Sequence, residues 1–257
     1  RFPVRTAEVG GALLLMLLLC AAAAPATPTD LGDFVGDTAI YEAVTASGEG
    51  LFGIPLISGD TLDFSGGLST NFEADSMLGA LDTIESGITM AISARPGRQL
   101  DQVNLEAGGF HQFSRFTGPM TSATSVEARI RLEAVVTEVA GLAVSPVALV
   151  PVEQILVAHD FGALTSQDTV NWQGIVRYDL SAAAQIQTGI TAPITGIDLA
   201  WRMTLTAESE AGTRSRIALR TLDTVALTIV PEPSGFALLT IAGIAVLSRG
   251  RRKMAAA

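Results

Sequence analysis

The chain has 257 residues, 48% of them hydrophobic, and a formal net charge of -10, which is enough apolar material for one substantial core. Between Thr27 and Val230 ten arginines stand against twenty-four Asp and Glu, and the single lysine is Lys253. Such sparse positive charge excludes a nucleic-acid partner, which needs concentrated Lys and Arg to displace counterions. One cysteine, Cys20, excludes a disulfide framework, a CxxC redox pair and a thiolate zinc site.

Residues 1–26 read as a secretory signal peptide for the Sec machinery and signal peptidase. Arg1 and Arg5 supply the positive start, and residues 9–19 form an apolar block. Eleven residues at 1.5 Å each reach roughly 16 Å, well short of a hydrocarbon layer of about 30 Å, so the block suits a leader rather than an anchor. Ala24-Pro25-Ala26 meets the small-x-small requirement for cleavage before Thr27, and Ala22-Ala23-Ala24 offers a second site. Leu17-Leu18-Leu19-Cys20 has the outline of a lipobox, but Leu19 occupies a position that is normally small. Residues 27–38 are polar and read as a flexible leader to the first strand.

From 39 to 229 the pattern is that of strands separated by Gly, Ser, Thr, Asp and Pro turns. Short strands are expected at 39–44, 51–57 and 67–73. Residues 76–86 carry the single helical spacing, with Met77, Leu78, Leu81 and Ile84 on one side. Further strands are expected at 88–94, 102–106 and 110–116. The clearest alternation follows: Val126, Ala128, Ile130, Leu132, Ala134 and Val136 face one way, and Glu127, Arg129, Arg131, Glu133 and Thr137 the other. Weaker strands are expected at 147–152, 154–159, 169–179 and 186–191. Ile197, Leu199, Trp201, Met203, Leu205 and Ala207 then repeat the long alternation, and the chain returns through Ile217, Leu219, Val225, Leu227 and Ile229 after a turn at Glu210-Ala211-Gly212-Thr213. Many strands with little helical periodicity predict an all-β fold, an antiparallel β-sandwich of jelly-roll type.

At the C-terminus Pro231-Glu232-Pro233 stops the last strand, because proline lacks an amide donor and restrains its neighbour to extended geometry. Residues 234–248 carry no charge and make roughly 22 Å as a helix, feasible as a transmembrane segment if flanking arginines snorkel. Arg249, Arg251, Arg252 and Lys253 follow, and the positive-inside rule would hold them on the cytoplasmic side. This stretch, VPEPSGFALLTIAGIAVLSRGRRK, resembles the PEP-CTERM sorting tail. The resemblance implies that an exosortase recognises Pro231, Glu232 and Pro233, with the apolar helix as membrane hold and the basic cluster as orientation signal. It also implies that the protein is held transiently in the inner membrane and then passed to the cell surface or extracellular matrix. An ordinary uncut single-pass anchor is the competing reading.

Candidate chemistry in the middle of the chain is thin. His111 and His159 sit in no HExxH, GxSxG or ligand spacing, and a strand-end histidine bonded to a nearby turn is the expectation. Glu127 with Glu133, or Glu208 with Glu210, could in principle be a glycosidase pair, but even spacing on a strand is equally an acidic solvent face. Asp30, Asp33 and Asp37, or Asp60 and Asp63, offer oxygen ligands near turns and make Ca2+ the one cofactor to consider. Trp172 and Tyr178 share strand parity and are the candidate aromatic ligand-binding pair, and Phe110, Phe113 and Phe116 are three apart. The expectation is therefore an exported, non-catalytic structural or interaction protein whose partners, beyond the export and sorting enzymes, are exopolysaccharide or envelope components. A polysaccharide-binding or polysaccharide-degrading module is the alternative.

Overall fold

The computed structural model describes residues 27–48, 52–67, 72–117, 123–161, 169–219 and 225–230. The expected signal peptide and the tail from Pro231 onward, including the sorting tripeptide and the basic cluster, lie outside the described residues. Among the described residues no helix is long and apolar enough to cross a membrane.

In chain order the elements are β1 (Thr29–Val35), β2 (Ala39–Gly48), β3 (Leu56–Ser58), β4 (Thr61–Asp63), β5 (Glu73–Met77), β6 (Leu81–Ala94), β7 (Gln102–Arg115), β8 (Ser125–Val139), β9 (Leu142–Ala148), β10 (Val152–Asp160), β11 (Val170–Asp179), α1 (Leu180–Thr188), β12 (Ile194–Glu208), β13 (Thr213–Leu219) and β14 (Val225–Val230). They form two seven-stranded antiparallel sheets, an all-β sandwich as the alternation predicts. The first sheet runs β1-β2-β6-β12-β8, and β8 carries both β9 and β10 on its outer edge. The second is built on β7, with β11 along one edge. Along its other edge β13 ends at Leu219 opposite Gly109 and β14 resumes at Val225 opposite Ala107. Beyond them lie β5 on β13, and β4 then β3 on β14.

The long alternations decide which faces meet. Val126 to Val136 on β8, Ile197 to Ala207 on β12 and Ile88, Met90 and Ile92 on β6 are buried against Val103, Leu105, Ala107 and Phe113 of β7 and Leu227 and Ile229 of β14. Trp201 sits at the middle of this core, with the Phe52 ring 4.9 Å away edge-on and Phe64 at 6.1 Å. Outward residues of the first sheet pair charges across and along strands: Arg129 with Glu127 (2.8 Å) and Glu153 (2.5 Å), Arg131 with Glu133 (2.7 Å), and Arg202 with Glu85 (3.1 Å).

Three expectations need correction. Residues 76–86 are not helical: β5 ends at Met77, Leu78 turns at φ 60 and β6 begins at Leu81, so the chain crosses from one sheet to the other. The Ser76 hydroxyl secures that corner by donating to Ala80 O (2.5 Å) and meeting Ser209 Oγ at 2.9 Å. Of the four apolar residues that suggested a helix face only Ile84 is buried. Residues 186–191 are not a strand, since α1 runs to Thr188. Asp179 Oδ1 accepts from Ala182 N (2.7 Å) at its start, and Gly189 closes it in the left-handed region, which are ordinary helix-end signals. The polar segment 27–38 contains β1, whose edge pairing with β2 is interrupted by register shifts around Gly32.

Candidate functional site

One end of the sandwich gathers three loops. The β6–β7 loop carries Arg95-Pro96-Gly97-Arg98, in which Arg98 N donates to Arg95 O (2.9 Å) and Gly97 has φ 77. Proline at the second position and glycine at positive φ in the third define a type II turn, which brings the first and fourth residues within about 7 Å. Both arginines are exposed. The turn is clamped at its base, because Arg95 N donates to Thr38 O (2.8 Å) and Arg95 Nη1 to Gly36 O (3.2 Å). Arg129, Arg131, Arg202, Arg214 and Arg216 all have carboxylate partners, whereas neither Arg95 nor Arg98 has an ion pair among the described residues.

The facing wall comes from the β8–β9 hairpin and the entry to β12. Ala140 N donates to Pro193 O (2.8 Å), Gly141 N to Thr195 Oγ1 (3.0 Å), and Thr195 Oγ1 to Glu138 Oε1 (2.8 Å). Between the walls is a cleft of about 570 Å³ lined by Arg95, Pro96, Arg98, Glu138, Pro193 and Thr195. Gln99 and Pro193 are shared with an adjoining hollow of about 260 Å³, whose other side is Ser181, Gln185 and Thr191 from α1 and the loop after it. Amide, hydroxyl and guanidinium side chains are thus among the lining residues, beside small residues such as Pro96, Gly97 and Pro193. That arrangement can hold a polar ligand with an acidic group, through charge-assisted and neutral hydrogen bonds together.

The residues singled out from sequence lie elsewhere. Trp172 and Tyr178 do share a face, as their parity predicts, but it is the inner one: Trp172 is 8% exposed and Tyr178 3%. The Tyr178 hydroxyl donates to Val150 O (2.8 Å), and burial pushes it up to about 12. They are core residues and form no exposed platform. Phe113 is buried, Phe110 lies under the Arg216 guanidinium at 5.2 Å, and Phe116 is 56% exposed. Glu127 and Glu133 are paired with arginines on the open face of the first sheet, and Glu210 meets the Thr124 hydroxyl (3.2 Å) at the opposite end from the cleft.

Four of the five aspartates considered for calcium act as hydrogen-bond acceptors. Asp30 accepts from Gly32 N (2.9 Å), Asp33 from Ala43 N (2.8 Å), and Asp63 from Ser65 N (2.9 Å). Asp60 accepts from Thr38 N (2.7 Å) and Oγ1 (2.6 Å) and from Ala39 N (3.1 Å), and its carbonyl accepts from the Tyr41 hydroxyl (2.6 Å), tying the two sheets along one side. Burial, with Asp60 nearby, raises the Tyr41 hydroxyl well above the ordinary tyrosine range. Among the described residues no group of three or more His, Cys, Asp or Glu is arranged to hold a metal ion.

One pairing was invisible in the sequence. His159 Nδ1 on β10 lies 3.0 Å from His111 Nε2 on β7, joining the two sheets along the side opposite Asp60. His111 is fully buried beside Phe113, and its Nδ1 has no hydrogen-bond partner among the described residues. Leu156 fills the space over Gly174 on the same side.

No protein-family model matches the sequence, and no curated protein matches it. Solved structures similar to the fold include a family 61 carbohydrate-binding module in complex with β-1,4-galactotriose, at 10% identity and a TM-score of 0.22, covering 71% of this chain and 86% of that one. The CBM22-1 and GH10 modules of a Clostridium thermocellum xylanase, complexed with xylohexaose, align at 10% identity and a TM-score of 0.20, covering 65% and 27%. The VP2 subviral particle of infectious bursal disease virus aligns at 13% identity and a TM-score of 0.22, covering 67% and 41%. Similarities of this size assign neither ancestry nor ligand to this chain.

Proposed function

We propose that the chain is an exported bacterial surface or extracellular-matrix protein, sorted through a PEP-CTERM tail, whose sandwich is a non-catalytic structural or interaction module. The observation that supports this most is where the sandwich ends. β14 pairs with β7 and β4 and reaches Val230, whose carbonyl accepts from Asp101 N (3.3 Å), and Pro231 is the next residue. Among the described residues the last strand therefore ends where the sorting sequence begins. Intact-mass measurement of the cell-surface fraction tests the sorting half. The expected product starts near Thr27 and lacks Arg249 to Lys253; a surface product that retains them overturns processing by an exosortase. A second reading, that the sandwich binds polysaccharide, is favoured by the polar cleft beside the Arg95–Arg98 turn.

A further inference from the structure

We propose that the cleft between the Arg95–Arg98 turn and the β8–β9 hairpin is a binding site for a carboxylated polysaccharide, a polyuronate, with Arg98 as its principal carboxylate contact. The proposal deepens the reading of the sandwich as an interaction module and is independent of how the tail is sorted.

The argument begins with the turn. The turn, with Pro96 and Gly97 at its centre, sets the two arginine backbones close together, so two like charges are carried on one tight turn. Elsewhere on the described surface Arg129, Arg131, Arg202, Arg214 and Arg216 each meet a carboxylate, while Arg115 and Arg177, on separate strands, have no ion pair among the described residues; the Arg202 and Arg131 side chains stand directly opposite across β12 and β8, and each has its own glutamate. At the turn no such partner is present, and Arg95 meets only backbone carbonyls of the β1–β2 connection. Those contacts occupy one of its nitrogens and leave the others facing solvent. Arg98 has its full set of donors available among the described residues. An incoming carboxylate would supply the missing negative charge, and guanidinium accepts that planar group in a bidentate fork.

The rest of the site selects the carrier of the carboxylate. Ser181, Gln185 and Thr191 place neutral hydroxyl and amide groups along the adjoining hollow. Such groups match vicinal hydroxyls, and the walls of Pro96, Gly97, Gly141 and Pro193 are shallow enough for a sugar ring to lie against. A peptide would gain from a deep apolar hole for a side chain, which these small residues do not make. The combined length of cleft and hollow suits several linked residues. Glu138 lines the same cleft; its Oε1 accepts from Thr195, and it forms no ion pair with either arginine. The acidic remainder of the sandwich opposes a polyanion at long range, but this repulsion fades beyond the Debye length of about 8 Å at physiological salt.

Isothermal titration of the full chain, with a flexible spacer of about twenty residues between Val230 and Pro231 so that the mild detergent around the tail stands clear of the cleft, tests the site, using an alginate oligosaccharide as the carboxylated probe and a neutral cello-oligosaccharide of equal length as control. Expected results are binding of alginate only, a loss of about tenfold in Arg98→Gln, partial recovery in Arg98→Lys, and weakening as NaCl is raised from about 20 to 200 mM. Gln185→Ala, on α1 and away from both arginines, should also weaken binding if the hollow takes part. Equal binding of the neutral probe, unchanged affinity in Arg98→Gln with an unchanged melting temperature, or no alginate binding would each overturn the proposal. Equal binding of a poly-glutamate peptide would replace the glycan by an acidic polypeptide and overturn it too. Mass analysis of the tail is unaffected by any of these results, so failure here leaves the sorting assignment standing, and the converse holds.

Discussion

His111 and His159 are 48 positions apart in the chain and 3.0 Å apart in the fold. Burial, and secondarily the neighbouring His159, hold the His111 imidazole at about 4 instead of the ordinary 6.5. A depressed histidine pKa means that the folded state refuses a proton which the unfolded chain accepts. Its contribution to stability is therefore complete above pH 6.5, is lost as pH falls through the window from 6.5 to 4, and is absent below it. The loss is on the order of 3 kcal/mol or less. Asp75 titrates in a different window: the Arg214 hydrogen bond, foremost, holds its carboxyl below the ordinary 3.8, so its stabilisation persists until lower pH. Urea midpoints at pH 7 and pH 4.5 separate the two. His111→Leu should remove most of the drop between those values, and an undiminished drop would assign the acid sensitivity to carboxylates instead. None of this was legible in sequence, because a strand alternation announces which residues point inward and not which inward residues meet across two sheets. The same limit applies to Trp172 and Tyr178. Their shared parity was readable, but parity alone does not distinguish an inner face from an outer one on a strand whose polar residues, Asn171, Gln173 and Arg177, are compatible with either.

Among the elements, the strands that the sequence marks most clearly are the central ones. β8 and β12 are each fifteen residues long, lie side by side, and have six alternating apolar positions that can only be satisfied by a continuous core. Misreadings fall at connections. Residues 76–86 show helical spacing by coincidence, since their apolar side chains belong to two strands in different sheets and the turn between them, and α1 is hard to see because its short Ala-rich run looks weakly apolar unless Asp179 and Gly189 are read as its two ends. β7, which carries the second sheet, has a position with no room for a side chain. At Gly109 an added Cβ would stand 2.0 Å from the Ala218 carbonyl oxygen of β13 and 3.0 Å from the Trp172 ring. A backbone atom cannot swing aside as a side chain can, so β7 and β13 would have to separate. Gly109→Ala is expected to cost upwards of about 3 kcal/mol, at or beyond the usual range for overpacking. Chemical denaturation reads this directly, and a change under about 1 kcal/mol would show that the two strands can part locally at little cost.

For the whole molecule, the order of events on the proposed export route depends on where the chain leaves the sandwich. Val230 pairs with Gln102 and is bonded to Asp101, two residues beyond Gln99 in the cleft. Only Pro231, Glu232 and Pro233 separate it from the apolar run, and three extended residues reach at most about 11 Å. On the proposed sorting route, insertion of that run into a bilayer would bring the Arg95–Arg98 turn and its cleft close to the lipid headgroups, leaving little room for a long polymer to thread. Cutting the tail would then do more than release the protein: it would unmask the cleft, making anchorage and polymer capture successive states of one molecule. A flexible spacer of about twenty residues inserted between Val230 and Pro231, reaching several tens of ångströms, should let uncut protein on spheroplasts retain labelled alginate. Equal retention by the unmodified, uncut chain would show that the headgroups leave the cleft open and that nothing times its exposure.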